Sequence, residues 1–266
     1  MKFSIFGSNG FIGSNMINYL KNKKIEYELL DPNDEKIFER KLGHVIYAIG
    51  VTGDFRKRYF DTIESHVCIL HKILKECKFD SFLYLSSTRI YSDITSSNES
   101  DDVIVNPNNL DNVYNISKIM GESLCLSCNS TKIRIARLSN VVGNNMEHND
   151  FLSSIIHDAI TKKKMFINIT ESSEKDYIHI DDVVEILQKI SLEGKDRVYN
   201  VAFGKNTKVS EITNEIKKMT NCKIEFSSNA IKQSFPRINI DKLQEEFDFR
   251  PTSFLLGLRD IISSEK

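Results

Sequence analysis

The stretch Gly7-Ser8-Asn9-Gly10-Phe11-Ile12-Gly13 limits what this chain can fold into more than any other segment. It follows directly on a strand-like apolar run, Phe3–Phe6, and opens a segment with helical spacing of Phe11, Ile12, Met16 and Leu20. Glycines in a strand-to-helix turn have separate uses. One permits the tight turn, another lets backbone approach a pyrophosphate, and a third lets helix and strand pack closely. A helix starting there turns free N–H groups and the positive end of its dipole toward an anion. The spacing is GxxGxxG rather than GxGxxG. Gly7, Gly10, Phe11, Ile12 and Gly13 are the candidate cradle for a dinucleotide.

Further strands are expected at Tyr27–Leu30, Val45–Ala48, Phe82–Leu85 and Ile133–Ala136, and a helix at Ile63–Leu74. Continuous apolar strands alternating with helices imply an α/β protein with a parallel sheet covered on both faces and doubly wound, of Rossmann type. Asp31 ends the second strand. A carboxylate there can accept hydrogen bonds from the adenosine ribose and would repel a 2′-phosphate, which favours NAD. NADP stays open through Lys36 and Arg40, and Asp31-Pro32-Asn33-Asp34 also reads as a plain turn or helix cap. Ala48 and Gly50, small residues ending the third strand, let a ligand lie on the backbone. From about Asp150 the alternation lapses. Ile178–Ile180 leads into a helix starting at Asp181, Val209–Met219 is a helix capped near Ser210, Ile224–Phe226 is a strand and Phe254–Ile262 a last helix. Residues 1–150 are therefore assigned to a dinucleotide-binding domain. Residues 151–266 are assigned to a smaller C-terminal α/β substrate lobe, some segments of which return to the first domain.

Tyr114 and Lys118 stand four apart on an expected helix and share a face. A cationic lysine beside a phenol lowers its pKa, and such a tyrosine can exchange a proton with a sugar hydroxyl or carbonyl. The fourth strand ends in Ser86-Ser87-Thr88, whose hydroxyls would face the same crevice and steady developing charge. The long connection Ser92–Asn112, rich in Ser, Asn and Asp, is of a length often tied to function.

Taken together, these motifs resemble the extended short-chain dehydrogenase/reductases, in the NAD-dependent epimerase/dehydratase family of sugar-nucleotide enzymes. The resemblance covers nearly the whole chain: GSNGFIGS for the cofactor turn, YLSSTRIYS for SSxxVYG, YNISK for YxxxK, ARLSNVVG for RxxNVxG, KDYIHIDDVV for RDYIHVxD, and PRINIDK for the C-terminal arginine followed by D-x-x-K, with Asn239 in the aspartate's place. The resemblance implies that Tyr114 is the general acid/base, that Lys118 holds the nicotinamide ribose, and that Ser87 orients the substrate. Ser86 would lie against the cofactor, and Thr88, Arg89, Asn140, Lys175 and Arg237 against a nucleotide-linked sugar, the last two near its phosphates. It also implies a homodimer joined through the helices around Ile63–Leu74 and Val113–Leu126. The natural outcomes are epimerisation or keto-sugar reduction by hydride transfer, with C4 as the expected carbon.

Three positions depart from the family pattern. The stretch Asp31–His44 is short, with Asp34 the one stand-in for an adenine-binding aspartate. Thr88 and Arg89 replace the Asp-Glu pair of the dehydratases, and a guanidinium cannot serve as a base; Arg89 could bind an anionic group instead, or simply be exposed. His66 replaces an asparagine; it has the chemistry for a proton relay, but a packed structural histidine is the favoured reading. His148 is a further candidate for the substrate pocket, and His179 is expected to pack between the lobes.

Composition removes other classes. A formal charge of -1 with no strongly basic stretch argues against nucleic acid, and the apolar runs are strand-length, so no membrane span is expected. The five scattered cysteines suit a reducing compartment, and Cys125-x-x-Cys128 lacks the second half of a metal site. The N-terminus enters a strand with no room for a signal peptide, so the cytoplasm is the expected location. Two rivals remain: a reductase of small non-nucleotide carbonyl compounds, and a non-catalytic dinucleotide-binding regulator on the same fold, against which Ser87, Tyr114 and Lys118 together argue.

Overall fold

Apolar residues on both faces of consecutive strands need cover on both sides, and the computed structural model, which describes residues 1–144 and 151–265, supplies it. The chain runs β1 (Lys2–Phe6), α1 (Phe11–Asn22), β2 (Glu26–Leu30), β3 (Lys41–Tyr47), α2 (Tyr59–Ile63), α3 (Ile69–Glu76), β4 (Lys78–Ser87), α4 (Asn112–Ser127) and β5 (Ile133–Leu138). It continues through β6 (Asn140–Val142), α5 (Phe151–Thr161), β7 (Lys164–Ile169), β8 (Glu174–His179), α6 (Ile180–Glu193), β9 (Val198–Val201), β10 (Asn206–Lys208), α7 (Val209–Thr220), β11 (Lys223–Ile231), α8 (Asp241–Phe247) and α9 (Phe254–Ser264).

Six parallel strands form the main sheet in the order β2-β1-β3-β4-β5-β9. Alternation along each strand divides the core. Leu83 and Leu85 of β4 join Phe3, Met16 and Val183 on the face covered by α1 and α6. Phe82 and Tyr84 join Tyr47, Leu70 and Cys125 on the face covered by α3 and α4. This is the expected doubly wound α/β architecture. Between β2 and β3 there is only a short 3₁₀ turn, Glu35–Phe38, so β2 is an edge strand. The register pairs Phe6 with Tyr47 and Tyr47 with Tyr84, so β1 and β3 stop side by side while β4 runs on to Ser87, level with Leu138 at the end of β5. The order in which strands are added reverses between β1 and β3, and open parallel sheets form their ligand crevice at such a point.

The second lobe has its own core of Leu152, Ile156, Met165, Tyr177, Ile212, Phe254 and Leu258. Its sheets are small, β10-β8-β6 and β11-β7. The division at residue 150 is crossed by β9, which completes the main sheet, and by α6, which packs on α1. His179 caps α6 by accepting from the Asp181 N–H at 3.3 Å, and its ring lies against Gly257 of α9. His148 lies outside the described residues.

Several expected boundaries move. The helix expected at Ile63–Leu74 is a longer rod interrupted by a π-turn at Glu64–Cys68. β4 begins at Lys78, because a polar start hid the part that pairs with β3. The cap of α7 falls on Lys208 rather than Ser210, with the Lys208 N–H donating to Glu211 Oε2 at 2.8 Å.

One buried ion pair joins α4 to the sheet. Arg137 of β5 donates from Nη2 to Glu122 Oε2 at 2.7 Å, and Ser86 donates to Glu122 Oε1 at 2.5 Å. Arg137 also donates to the Tyr91 hydroxyl (2.5 Å) and to the Glu99 carbonyl (3.1 Å), which anchors the long 92–111 connection. Removing one member leaves the other charged and buried. Glu122→Ala is therefore expected to cost about 3–5 kcal/mol in urea unfolding. A loss below about 1 kcal/mol would show that the pair does not hold α4 in place.

Candidate active site

The glycine turn is shaped by contacts that exclude side chains at two positions and leave a third open. Gly7 has φ +80°, and a Cβ on it would sit 2.6 Å from the Ala48 carbonyl. A Cβ on Gly13 would collide with the Gly7 carbonyl oxygen. A Cβ on Gly10 would meet nothing nearer than that oxygen at 3.5 Å, so the surface in front of Gly10 is clear. Gly10 heads α1 without a side-chain cap, which leaves the amides of Phe11, Ile12 and Gly13 for an anion. The Phe11 ring itself packs between the two cores.

Asp31 is exposed at the end of β2. Its Oδ1 accepts from the Asn33 N–H (2.9 Å) and Nδ2 (3.1 Å), so the turn reading is realised. Oδ2 accepts nothing among the described residues and stays available to a ribose. Arg40 pairs with Glu28 at 2.8 Å, which takes it away from any 2′-phosphate, and Asp34 caps the 3₁₀ turn through Lys36 N. A cradle with three open amides and a free carboxylate oxygen at the neighbouring strand end fits a dinucleotide.

Tyr114 and Lys118 share the buried face of α4 as expected. Phe55 covers the Tyr114 ring at 5.0 Å between centroids, and the His66 ring meets it edge-on at 5.3 Å. Lys118 Nζ donates to the Leu85 carbonyl at 2.8 Å and lies 5.9 Å from the Tyr114 ring centre. Burial pushes the Lys118 ammonium down to about 7, with Glu122 opposing. Burial also pushes the Tyr114 phenol up, with the Ser87 hydroxyl and then the Arg89 charge pulling it back. The expected lowering by Lys118 is not found: a dry site disfavours phenolate, and the ammonium is turned to the Leu85 carbonyl.

His66 is fully buried and held far down, to about 2, by burial and then by the charge of Lys118. It remains neutral, so a relay that needs its titration is not available, and it packs as a structural residue. Its Nδ1 lies 2.8 Å from Ser117 Oγ. Ser117 already donates to the Tyr114 carbonyl (2.7 Å), so His66 Nδ1 is the donor in that pair. Gly50 must be small because a Cβ there would lie 2.9 Å from His66 Nε2.

Other candidates sit less simply. The Ser87 Oγ accepts from the Arg89 N–H at 3.2 Å and remains at the crevice. The Ser86 hydroxyl is turned inward to Glu122, and the Thr88 hydroxyl to the Leu138 carbonyl at 3.3 Å, so neither points at the crevice. Exposed Asn140 donates to the Asp176 carbonyl at 2.7 Å. Arg237 donates to the Gly204 carbonyl at 2.6 Å from an exposed position. Lys175 lies against the Phe235 ring, with its ammonium 5.2 Å from the ring centre. Sequence reasoning missed Phe55, which covers Tyr114, and Arg56, which lies over Phe55 and pairs with Asp111; the basic run Arg56-Lys57-Arg58 was the available signal. It also missed Glu122, legible as the next step of the Tyr114, Lys118 spacing. The five cysteines are free, with Cys125 buried and Cys128 exposed.

Comparisons with known proteins identify the family and the fold. The profile of the NAD dependent epimerase/dehydratase family matches residues 4–202. A dTDP-D-glucose 4,6-dehydratase of Dictyostelium discoideum is 25% identical over 250 residues, covering 75% of this chain and 58% of that protein; the chain thus spans less than two thirds of that relative's length. Among solved structures, UDP-glucuronic acid 4-epimerase from Bacillus cereus in complex with NAD superposes with TM-score 0.84 at 18% identity, covering 100% of this chain and 97% of that one. MoeE5 in complex with UDP-glucose and NAD gives 0.82 at 18%, covering 99% and 98%. RMD from Pseudomonas aeruginosa complexed with NADPH gives 0.82 at 20%, covering 100% and 99%.

The buried lysine makes a prediction about pH. Its ordinary value is 10.5 and its buried value about 7, so between them the unfolded chain holds a proton that the folded chain lacks. Stability then rises with pH across that window, and burying the ammonium is most costly below it. Lys118→Met is expected to melt at a higher temperature than the parent at about pH 6, with the gap closing toward about pH 10. A gap that stays constant with pH would rule out a depressed Lys118.

Proposed function

Because the chain belongs to the NAD-dependent epimerase/dehydratase family, we propose that it is an enzyme that binds NAD and acts on a nucleotide-linked sugar by reversible hydride transfer at a sugar carbon, C4 in our reading. The observation that carries this is the juxtaposition, at the carboxyl ends of the parallel strands, of the open glycine cradle, exposed Asp31, Ser87 and the Tyr114–Lys118 face. When bound, NAD supplies a hydride acceptor and donor. Gly10 and the first amides of α1 hold its pyrophosphate, and Asp31 Oδ2 holds the adenosine ribose. Tyr114 takes the proton from the sugar hydroxyl as the carbonyl forms and returns it on reduction. Ser87 donates a hydrogen bond to the same oxygen, and Lys118 holds the nicotinamide ribose and offsets the cost of phenolate. Lys175 and Arg237 meet the diphosphate.

Elimination of water is disfavoured. It needs an acid and a base beside the catalytic serine, where this chain has Thr88, bound to a backbone carbonyl, and Arg89. Epimerisation or net reduction remains, and free Asp31 Oδ2 with Arg40 tied to Glu28 supports NAD over NADP. A second copy of the chain docks in this reading on the helical rod that runs from α2 through α3 and on α4, where Phe60, Met120 and Leu126 are exposed.

The test is analysis of small molecules released from purified protein, followed by titration with NAD(H) and NADP(H). Co-purified NAD supports an epimerase; an empty protein that prefers NADPH supports a keto-sugar reductase; binding of neither rejects the proposal. Tyr114→Phe is expected to keep cofactor binding and lose at least about a hundredfold in turnover, and a near-normal rate would remove its acid/base role. Asp31→Ser should shift preference toward NADP; an unchanged ratio would mean that the ribose is held elsewhere.

A further inference from the structure

Three cations lie along the crevice that runs from Tyr114 toward the second lobe, with too few carboxylates to balance them. Arg56 and Arg89 both lie over the Phe55 ring, at 4.6 and 5.3 Å from its centre, and that ring covers Tyr114. Lys175 feels both arginines: burial, then Arg89, then Arg56, pushes its ammonium below the ordinary lysine value. Asp111 is spent on Arg56, which grips it with Nε at 2.6 Å and Nη2 at 2.9 Å. Asp111 and Asp93 are the carboxylates whose charge reaches Arg89. Three positive charges against two negative leave at least one cation without an anion.

Arg89 is one such cation. Its Nη2 is 4.0 Å from Asp111 Oδ2, too far for a hydrogen bond. Its Nε is buried and has no partner among the described residues. These two groups form the side-on edge of the guanidinium, the edge that takes a carboxylate with two parallel hydrogen bonds, as Arg56 already does with Asp111. A buried donor without an acceptor is costly, so the edge is set for an anion that arrives with a ligand.

The position of that edge says which anion. Arg89 follows Ser87 by two residues and donates its own N–H to the Ser87 hydroxyl. Its charge and that of Tyr114 act on one another. It therefore faces the reacting side of a bound sugar, while the diphosphate leaves from the anomeric carbon on the opposite side of the ring, toward Lys175 and Arg237 in the reading above. We propose that Arg89 forms a second anion site and that the substrate's sugar ring carries a carboxylate beside its reacting carbon, so that the substrate class is nucleotide-linked sugar acids. This inference rests on the nucleotide-sugar reading and narrows it.

Binding of matched neutral and acidic sugars to the NAD-loaded chain tests the proposal by calorimetry: UDP-glucose against UDP-glucuronic acid, and dTDP-glucose against dTDP-glucuronic acid. The acidic member of at least one pair should bind about ten- to a hundredfold more tightly, the range expected of a charge-assisted pair. Arg89→Gln should reduce affinity for the acidic member at least about tenfold more than for the neutral one. Lys175→Ala should weaken both members alike. Equal affinity of the parent protein for neutral and acidic sugars would overturn the second site without touching the nucleotide-sugar reading. An Arg89→Gln variant that weakens both members equally would place Arg89 on the diphosphate and also overturn it. If no pair binds while NAD does, the nucleotide-sugar reading itself fails and takes this inference with it.

Discussion

The buried pair between Arg137 and Glu122 is the contact on which the rest of the site depends. Glu122 lies on the face of α4 that carries Tyr114 and Lys118, one turn beyond the lysine. Its carboxylate is held by Arg137 of β5 and by Ser86 at the end of β4. The helix is thereby locked to two strands in one rotation, and Tyr114 is aimed at the strand ends. Arg137 also reaches Tyr91 and Glu99, and Tyr91 donates to Asn200 of β9 at 2.9 Å. One ion pair thus ties the long connection, the last strand of the sheet and the helix of the candidate acid/base into a single arrangement. Such a pair adds little net stability over an apolar replacement. We attribute its presence to orientation, since a hydrophobic contact would tolerate small rotations of α4 that would move the phenol.

A second constraint comes from the abbreviated link after β2. A single 3₁₀ turn stands where a further crossover unit would extend the sheet, and β2 becomes an edge. The edge is managed by charge: Glu28 pairs with Lys2 and Arg40, which hold its carboxyl down at about 2 against the opposing effect of burial. Asp34 is occupied in capping the turn. The adenosine side of the crevice is left with Asp31 as its carboxylate, which makes that residue the main determinant of cofactor choice in the proposed reading.

Much of the site was legible in the sequence because the relevant chemistry is local. The glycine turn needs positive φ at Gly7 and no side chain at Gly13, and both demands appear as glycines at fixed spacing. Tyr114 and Lys118 show as a four-residue step on one helix. The directions of hydroxyls were not legible. Ser86 and Thr88 alternate at a strand end with Ser87, yet Ser86 turns to Glu122 and Thr88 to Leu138. The cause is partners more than 30 residues away, which no local pattern records.

The sequence by itself determined the parallel doubly wound sheet, the glycine turn and the helix bearing Tyr114 and Lys118, because backbone sterics and the alternation of apolar residues act within a few positions of each other. Only the tertiary structure decided the electrostatics of the crevice. It buried Lys118 deeply enough to bring its pKa to about 7, kept His66 neutral, raised rather than lowered Tyr114, and gathered Arg56, Arg89 and Lys175 from three separate segments. Those outcomes depend on how much water the packed elements exclude and which distant charges they bring together, and both quantities exist only once the chain has folded.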